Sequence, residues 1–181
     1  SIEGLGRESL KLTKYFFEKL NAMNIPTHYL DSNLDEVSMI VKPAQVFGNG
    51  LEFICRKKVG GSFLKRYGTY AEFGQELDYF IEVTLKDDER LDPPITKDAL
   101  IALSLLTDDE YETCNKLTKK ITKIIHDDLA EKGLELHDLK FEFGKHDGEI
   151  LLIDEISGGC MRVFKDGVQI EPMELTQLIL G

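Results

Sequence analysis

The sequence has few of the residues that build disulfide frameworks or zinc sites, and it has no long apolar run. Its three cysteines, Cys55, Cys114 and Cys160, are far apart and form no CxxC pair, which argues against both kinds of site. Its four histidines show no HxxH or HExxH spacing. The longest apolar stretch, residues 99–106, is far shorter than the ~20 residues that cross a bilayer. We therefore expect a protein of the reducing cytoplasm that has no membrane span.

Several catalytic and recognition signatures are also missing. The chain contains no GxSxG nucleophile elbow, no Walker loop and no Rossmann fingerprint, and neither Cys55 nor Cys160 has an identifiable base partner. Acidic residues outnumber basic ones by 33 to 22, which gives a formal charge of -11. This charge disfavours nucleic acids and anionic membrane surfaces as partners. Covalent catalysis and nucleic-acid binding are therefore not expected.

The 181 residues suffice for one domain with a substantial core. Apolar residues at helical spacing predict an amphipathic helix over residues 7–23. A capping box of Thr107 and Glu110 predicts a longer helix that ends near Gly133. A small hairpin is expected around residues 165–167. The mixture predicts an α+β fold in which sheet and helices form one unit. The predicted strands cover residues 27–30, 38–46, 51–58, 77–85, 134–143 and 149–156.

A basic cluster stands out in this acidic chain, because residues 53–71 contain no Asp or Glu. Gly60 and Gly61 end a predicted strand there, and Ser62 occupies the position of a helix N-cap. Backbone N–H groups, a hydroxyl and the guanidinium of Arg56 would suit a phosphate at such a turn. A solvated basic turn explains the same segment, so the residues alone leave both alternatives open. The basic residues of this window are Arg56, Lys57, Lys58, Lys65 and Arg66.

A second group of charges lies on the predicted strand at residues 138–144, where alternation places Asp138, Lys140 and Glu142 on one face. A three-residue hairpin loop would set Lys140 opposite Asp154, so that Glu142 and Asp154 could share a cation. A two-residue turn would move Asp154 to the other face. The competing interpretation is a solvent face with ion pairs worth ~0–1 kcal/mol each. We favour the cation site, because an unpaired carboxylate within the apolar run ILLIDEIS would be costly.

Two carboxylates, together with phosphate oxygens and water, would suit Mg²⁺, which seldom has a cage of protein ligands alone. The acidic segment at residues 86–94 offers Lys86 to orient a polyphosphate and Asp92 to hold a metal-bound water, or it is a solvated loop. Acidic runs at residues 107–112 and 126–131 are assigned to the exposed face of the long helix.

Four blocks of the sequence, in the same order, resemble the SAICAR synthetase family. The most specific block is DLKFEFGKHDGEILLIDEIS at residues 138–157, which is followed by Arg162. The resemblance covers nearly the whole chain. The other three blocks are IEGLG with FFEKLNAMNIPTHYL, then LEFICRKKVGGSFLKRYG, and then VTLKDDERLDPPI.

The resemblance implies an ATP-dependent ligase of de novo purine biosynthesis that joins L-aspartate to the carboxylate of carboxyaminoimidazole ribonucleotide. It implies an α+β fold, a mixed or antiparallel sheet with flanking helices, and an ATP-binding cleft between lobes. By the same resemblance, Arg56, Ser62 and Arg162 would hold the ribose phosphate, and Asp138 and Lys140 would line the reaction centre. A homodimer is compatible with this interpretation. The residues that the resemblance assigns to ATP and Mg²⁺ are Lys86, Asp92, Glu142 and Asp154.

The sequence also departs from the family pattern. The family's lysine-bearing strand region, which covers ATP, has no counterpart before Ser1, so we expect residues 1–181 to form one catalytic region without that N-terminal subdomain. The family's Pro-Asp-Thr-Cys segment is replaced by residues 158–161, Gly-Gly-Cys-Met. Two alternatives therefore stay open, a non-catalytic phosphosugar-binding module and a ligase with another amine or carboxylate. A kinase-like phosphotransferase is a third class, although the sequence carries no kinase signature.

Overall fold

The structure is a computed structural model that describes residues 6–181. Residues 2–5 of the first resembling block therefore lie outside the described residues. The helices are α1 (Arg7–Ala22), α2 (Gly61–Tyr67), α3 (Lys97–Ala102), α4 (Asp108–Glu131) and α5 (Pro172–Leu180). The strands are β1 (Tyr29–Asn33), β2 (Ser38–Val41), β3 (Gln45–Val46), β4 (Leu51–Lys58), β5 (Glu76–Leu85), β6 (Pro94–Ile95), β7 (Glu135–His146), β8 (Glu149–Ile153), β9 (Met161–Lys165) and β10 (Val168–Gln169).

Strand β7 lies at the centre of an antiparallel sheet that contains eight strands of the described chain. It pairs with β4 and β3 along one edge and with β9 and β8 along the other. Strands β5 and β6 extend the sheet beyond β4, and β10 extends it beyond β9. Strands β1 and β2 form a separate hairpin. The predicted α+β fold is confirmed.

The core lies between the sheet and the long helix α4. Ile121 and Ile125 of α4 are fully buried, as is Phe53 of β4. Strand alternation sends every second side chain of β7 into this core, namely Leu139, Phe141 and Phe143. The side chains between them face the opposite surface of the sheet, as predicted.

Helix α4 begins as the sequence predicts. Thr107 Oγ1 accepts a hydrogen bond from the Glu110 amide at 3.1 Å, and the Glu110 carboxylate accepts one from the Thr107 amide at 2.9 Å. Gly133 follows its C-terminus at a positive φ of 71°. No helix among residues 6–181 is both long and apolar enough to cross a membrane.

One acidic residue of α4 was wrongly assigned to the exposed face. Asp128 is 2% exposed. Its carboxylate accepts hydrogen bonds from Tyr15 at 2.5 Å, Lys19 at 2.7 Å and Lys132 at 2.6 Å. Asp128 therefore joins α1 to the end of α4, a contact that helical charge patterning cannot reveal.

The predicted strands near the N-terminus are shifted. The polar turn was expected at residues 31–36, but β1 continues to Asn33. The side chain of Asn33 accepts hydrogen bonds from the amides of Asp35 and Glu36, both at 3.0 Å, which places the turn after it. The predicted strand 38–46 divides into β2 and β3, and β3 leaves the hairpin to pair with β7.

The hairpin of β7 and β8 has a different register from the one expected. His146 pairs with Glu149 and Glu142 pairs with Ile153, so the turn contains two residues, Asp147 and Gly148. Their φ angles of 49° and 80° are those of a type I′ turn, whose twist matches the flanking strands. The three-residue loop was therefore wrong. The smaller hairpin of β9 and β10 is confirmed, with Lys165 paired to Val168.

Candidate functional site

Two adjoining pockets lie on the face of the sheet opposite α4. The first, of about 300 Å³, is called here the arginine cleft, and the second, of about 200 Å³, the carboxylate pocket. They share Lys140, Gly159 and Cys160 as lining residues, so a ligand in one pocket lies next to a ligand in the other. The arginine cleft is also lined by Arg56, Gly61, Ser62, Asp138 and Arg162. The carboxylate pocket is also lined by Glu52, Glu142, Asp154 and Glu155.

Strand register builds the arginine cleft. Arg56 of β4 is paired with Asp138 of β7, and Asp138 is paired in turn with Arg162 of β9. Residues opposite one another on neighbouring strands project to the same face. Three strands far apart in sequence therefore present one carboxylate flanked by two guanidiniums.

Arg56 is 3% exposed and its guanidinium is held from several sides. Nε donates to the Glu82 carboxylate at 2.9 Å. One terminal nitrogen donates to Asp138 at 3.3 Å and to the Gly60 carbonyl at 3.4 Å. The other donates to Ser62 Oγ at 2.9 Å. A buried guanidinium with this many partners is not part of a solvated turn, so that alternative fails for Arg56, whereas Lys65 and Arg66 of the same cluster are exposed.

Arg162 explains the glycine pair at the edge of the cleft. Its guanidinium donates from Nε to Asp138 at 3.0 Å and makes a second contact to the same carboxylate. A Cβ atom on Gly60 would lie 2.9 Å from this guanidinium, and one on Gly61 would lie 3.0 Å from it. Gly61 also has a positive φ of 54°. The two glycines therefore leave the space in which Arg162 lies.

Ser62 belongs to the site, but its expected N-cap role is wrong. The N-cap residue of α2 is Gly60, and Ser62 is the second residue of the helix. Its hydroxyl oxygen instead accepts a hydrogen bond from Arg56 at 2.9 Å. Because that contact uses only an oxygen lone pair, the hydroxyl proton stays available to a ligand in the cleft.

Two other basic residues of this window are paired with acids from distant strands. Arg66 contacts the Glu82 carboxylate at 2.6 Å, and Lys58 contacts Glu135 at 2.8 Å. Lys57 points to the other face of the sheet, where its ammonium lies 4.3 Å from the ring centroid of Tyr79. Arg56, Lys58 and Arg66 of the basic cluster are therefore ion-paired in the fold.

Glu142 is the buried acid of the carboxylate pocket, with 8% of its surface exposed. Its carboxylate accepts a hydrogen bond from Lys86 at 3.3 Å. Burial raises the pKa of Glu142; Lys86 opposes this shift, and the charges of Asp154 and Glu52 add to it. Beside it, Lys140 lies 3.5 Å from Glu52. The pocket lining thus contains four carboxyl groups, which outnumber the two lysines that contact them.

Asp154 reaches this pocket in a way the sequence argument did not foresee. It was expected inside a buried strand, but β8 ends at Ile153 and Asp154 is exposed. Its φ of 69° turns the chain out of the strand. A continuing strand with this two-residue turn would have sent Asp154 to the other face. Because the strand has ended, Asp154 lies in the same pocket as Glu142.

Asp92 was grouped with these acids, and the structure places it elsewhere. Its side chain accepts a hydrogen bond from the Asp87 amide at 2.8 Å and does not line the carboxylate pocket. Within residues 6–181, no group of three or more His, Cys, Asp or Glu side chains is arranged to hold a metal ion. A cation in the carboxylate pocket would therefore need oxygen ligands from a bound substrate and water as well as from Glu142 and Asp154.

Sequence reasoning missed three residues next to the site. Glu52 was detectable, because it lies two and four positions before Ile54 and Arg56 of the same strand and so shares their face. Glu82 was not, since its contact with Arg56 depends on the pairing of β4 with β5. His28, one of the four histidines without metal-site spacing, is buried, and its Nε2 lies 3.1 Å from the Asp154 carbonyl oxygen.

The cysteines do not provide a nucleophile for the site. Cys55 lies in the core, where burial raises its pKa to about 11, and burial raises that of Cys114 to about 12. Cys160 lines both pockets, but burial raises its pKa as well. Thiolates are the reactive forms of cysteine, so these environments give no support to covalent catalysis.

The chain is similar to proteins of one family over almost its whole length. A family model described as SAICAR synthetase matches residues 1–174. A phosphoribosylaminoimidazole-succinocarboxamide synthase of Clostridium tetani is 59% identical over 99% of this chain and 80% of its own length.

Solved structures show the same similarity. A SAICAR synthetase (Type-2) in complex with ADP superposes with a TM-score of 0.86 at 30% identity, over 99% of this chain and 76% of that one. A SAICAR synthetase of Pyrococcus horikoshii superposes with a TM-score of 0.84 at 30% identity, over 99% of this chain and 78% of that one.

Proposed function

The chain belongs to the SAICAR synthetase family, and we propose that its arginine cleft holds the phosphate of carboxyaminoimidazole ribonucleotide while its carboxylate pocket holds magnesium with ATP. The activity is that of a phosphoribosylaminoimidazole-succinocarboxamide synthase, an ATP-dependent ligase of purine biosynthesis. We assign the two substrates to these pockets because the pockets adjoin and share Lys140.

The reaction joins L-aspartate to the carboxylate of the nucleotide and produces SAICAR, ADP and phosphate. The simplest course transfers the γ-phosphoryl group of ATP to the carboxylate oxygen, and the amine of aspartate then displaces phosphate from the acyl carbon. Both steps need the carboxylate to lie beside the polyphosphate of ATP. Adjoining pockets meet this need, because positioning supplies much of the rate in such transfers.

The arginine cleft suits a phosphomonoester for three reasons. Arg56 is fixed by its neighbours, the hydroxyl proton of Ser62 is free to donate, and Arg162 lies at the edge of the same cleft. Charge-assisted hydrogen bonds from guanidiniums are among the strongest that a phosphate makes. Asp138 accepts hydrogen bonds from both arginines, so we assign it the role of orienting their guanidiniums beside the reaction centre.

The carboxylate pocket suits a magnesium ion bound to a polyphosphate. Glu142 and Asp154 supply the hard oxygen ligands that Mg²⁺ prefers, and their number leaves most of the coordination to phosphate oxygens and water. The ion would neutralise phosphate charge and polarise the transferred group. Lys86, which contacts Glu142, is placed to meet a phosphate oxygen at the same pocket.

Lys140 is the residue we assign to the reaction centre itself. Its ammonium lies on the face of β7 between Asp138 and Glu142, and it lines both pockets. A cation at that point would stabilise the negative charge that develops when the two substrates meet. Asp92 stays a prediction of the family resemblance, since its carboxylate bonds to the Asp87 amide.

Calorimetric titration of the chain with carboxyaminoimidazole ribonucleotide, with and without magnesium-ATP, tests the proposal. We expect saturable binding that is lost in Arg56→Ala. Lys57→Ala is the matched control, because Lys57 is the next residue of β4 and points to the other face. Equal affinity in Arg56→Ala and wild type would remove Arg56 from the site.

The reaction products separate the ligase from the alternative phosphosugar-binding module. ADP release that requires both the nucleotide carboxylate and L-aspartate supports the ligase. Binding of the nucleotide without any ADP release under these conditions would favour the binding module. A cytoplasmic location and a homodimer are further parts of the proposal; the three unpaired cysteines support the reducing compartment.

A further inference from the structure

We propose that Glu82 is a positioning residue for the phosphate site. Glu82 fixes the guanidinium of Arg56 so that one N–H group of Arg56 remains free for the ligand. This inference rests on the proposed function, because it takes the ligand of the arginine cleft to be a phosphate. Glu82 lies on β5 opposite Ile54 of β4, and it does not line the cleft. It therefore acts through Arg56 and not by touching the substrate.

The hydrogen bonds that Arg56 donates support this role of Glu82. A guanidinium has five N–H groups. One is directed to Glu82, two on one terminal nitrogen are directed to Asp138 and Gly60, and one on the other is directed to Ser62. A single N–H remains, on the nitrogen nearest Ser62. The direction of this remaining N–H is set by the contact between Arg56 Nε and Glu82 at 2.9 Å, because the guanidinium is planar.

Glu82 is itself held firmly. Its side chain is 9% exposed and lies between two guanidiniums. One carboxylate oxygen accepts from Arg56 at 2.9 Å, and the other accepts from Arg66 at 2.6 Å. Arg66 also lies 3.5 Å from Ser62 Oγ. Paired charge-assisted bonds of this kind restrict orientation more than neutral ones do.

Simple electrostatics predicts that loss of the Glu82 carboxylate strengthens phosphate binding, whereas loss of a positioning residue would weaken it. The connected group contains the guanidiniums of Arg56, Arg66 and Arg162 and the carboxylates of Glu82 and Asp138, a net charge of +1. Replacing Glu82 by Gln raises this charge to +2, which by Coulomb attraction alone would tighten phosphate binding. If Glu82 positions Arg56, the same change weakens binding. Whether Glu82→Gln binds phosphate more tightly or more weakly therefore decides between a purely electrostatic effect and a positioning role.

The experiment compares the affinity of Glu82→Gln and wild type for carboxyaminoimidazole ribonucleotide and for the corresponding nucleoside without phosphate. We expect nucleotide binding to weaken by about tenfold, while the affinity for the nucleoside is unchanged. Glu82→Asp, which retains the charge, is expected to recover part of the loss. The matched control is Glu76→Gln, which makes the same change at an exposed position of the same strand.

The other outcomes have definite meanings. Unchanged or tighter nucleotide binding in Glu82→Gln would overturn the positioning role, and so would an equal loss for nucleotide and nucleoside. If wild type binds both ligands equally, the phosphate assignment of the cleft fails and the role of Glu82 fails with it. Should Glu82→Gln not fold, Glu82→Asp provides the test: the net charge stays at +1, so Coulomb attraction alone predicts unchanged nucleotide binding, whereas a displaced carboxylate is expected to weaken nucleotide binding and leave nucleoside binding unchanged.

Discussion

Nε2 of His28 lies 3.1 Å from the backbone carbonyl oxygen of Asp154, although the two residues are 126 positions apart. Burial lowers the pKa of His28 to about 4, an effect that the Asp154 carbonyl partly offsets, so the imidazole is neutral at pH 7. Because a carbonyl can only accept, Nε2 carries the proton. The amide of His28 also donates to the Leu152 carbonyl at 2.9 Å. The segment after α1 thus supports the turn that carries Asp154 into the carboxylate pocket.

Asp154→Asn is expected to raise the Mg²⁺ concentration needed for ADP binding by about tenfold or more, because in the proposed site a neutral amide oxygen would replace a charged ligand. Calorimetric titration with ADP over a series of Mg²⁺ concentrations measures this change. Asp147→Asn, in the exposed turn at the other end of β8, is the control and should match wild type. An unaltered magnesium dependence in Asp154→Asn would exclude this residue as a ligand.

Asp128→Asn is expected to lower the free energy of unfolding by about 2 kcal/mol. The variant would leave Lys19 and Lys132 without their shared counter-charge, and the cost is below the usual value for a buried pair because both lysines are partly exposed. Urea unfolding of the variant and wild type provides the measurement. Asp127→Asn changes the exposed neighbour on the same helix and should alter stability by less than about 0.5 kcal/mol. Equal effects of the two variants would contradict the structural role of Asp128.

His137→Phe is expected to stabilise the fold by up to about 1 kcal/mol at pH 7, because Nδ1 of His137 is buried without a hydrogen-bond partner, and the contact of Nε2 with the exposed Glu135 carboxylate that the variant loses offsets only part of this gain. The imidazole stacks on Phe164 at 3.8 Å between ring centroids, and a phenyl ring retains that contact.

The same variant should also change how stability depends on pH. Burial lowers the pKa of His137 from its ordinary value of 6.5, although Glu135 opposes the shift. Below about pH 6.5 the unfolded chain therefore binds more protons at this position than the folded chain does, and wild type loses stability as the pH falls. The advantage of His137→Phe should grow between pH 7 and pH 5 in thermal or urea unfolding. A constant difference would show that His137 titrates alike in both states.

Gly158→Ala and Gly159→Ala should differ in stability although the residues are adjacent. A Cβ atom on Gly158 would lie 2.6 Å from the Cα atom of Pro172, at the start of α5, whereas one on Gly159 would meet nothing closer than Ser157 Oγ at 3.8 Å. We expect a loss of about 2 kcal/mol for Gly158→Ala from overpacking and a change within about 0.5 kcal/mol for Gly159→Ala. Thermal unfolding of both variants tests this, and similar melting temperatures would contradict the close packing at Pro172.

Local patterns predicted those parts of the fold that depend on neighbouring residues. The helical spacing of α1, the capping box of Thr107 and Glu110, and the alternation that separates Asp138 from Leu139 were all visible in the sequence. The turn of Asp147 and Gly148 was assigned the wrong length, since a Gly after Asp suits both two-residue and three-residue loops.

Contacts between distant elements could not be predicted in this way. The burial of Asp128 depends on the position of Tyr15, and the partner of Arg56 depends on which strand lies beside β4. Family resemblance placed Arg56, Ser62 and Arg162 in one site, and the structure brings them together around one cleft. Asp92 does not line the pocket of Glu142 and Asp154, and its carboxylate accepts a hydrogen bond within its own loop.

Strand β7 sets the separation between the two ends of the site. Asp138, in the arginine cleft, and Glu142, in the carboxylate pocket, are four residues apart on one unbroken strand, a Cα distance of about 13 Å. Pairing with strands on both edges leaves this distance little freedom to change. If the arginines that flank Asp138 hold the phosphate, as we propose, the protein would select its nucleotide by length as well as by chemistry, because only a group that lies one fixed span from the phosphate would reach the carboxylate pocket.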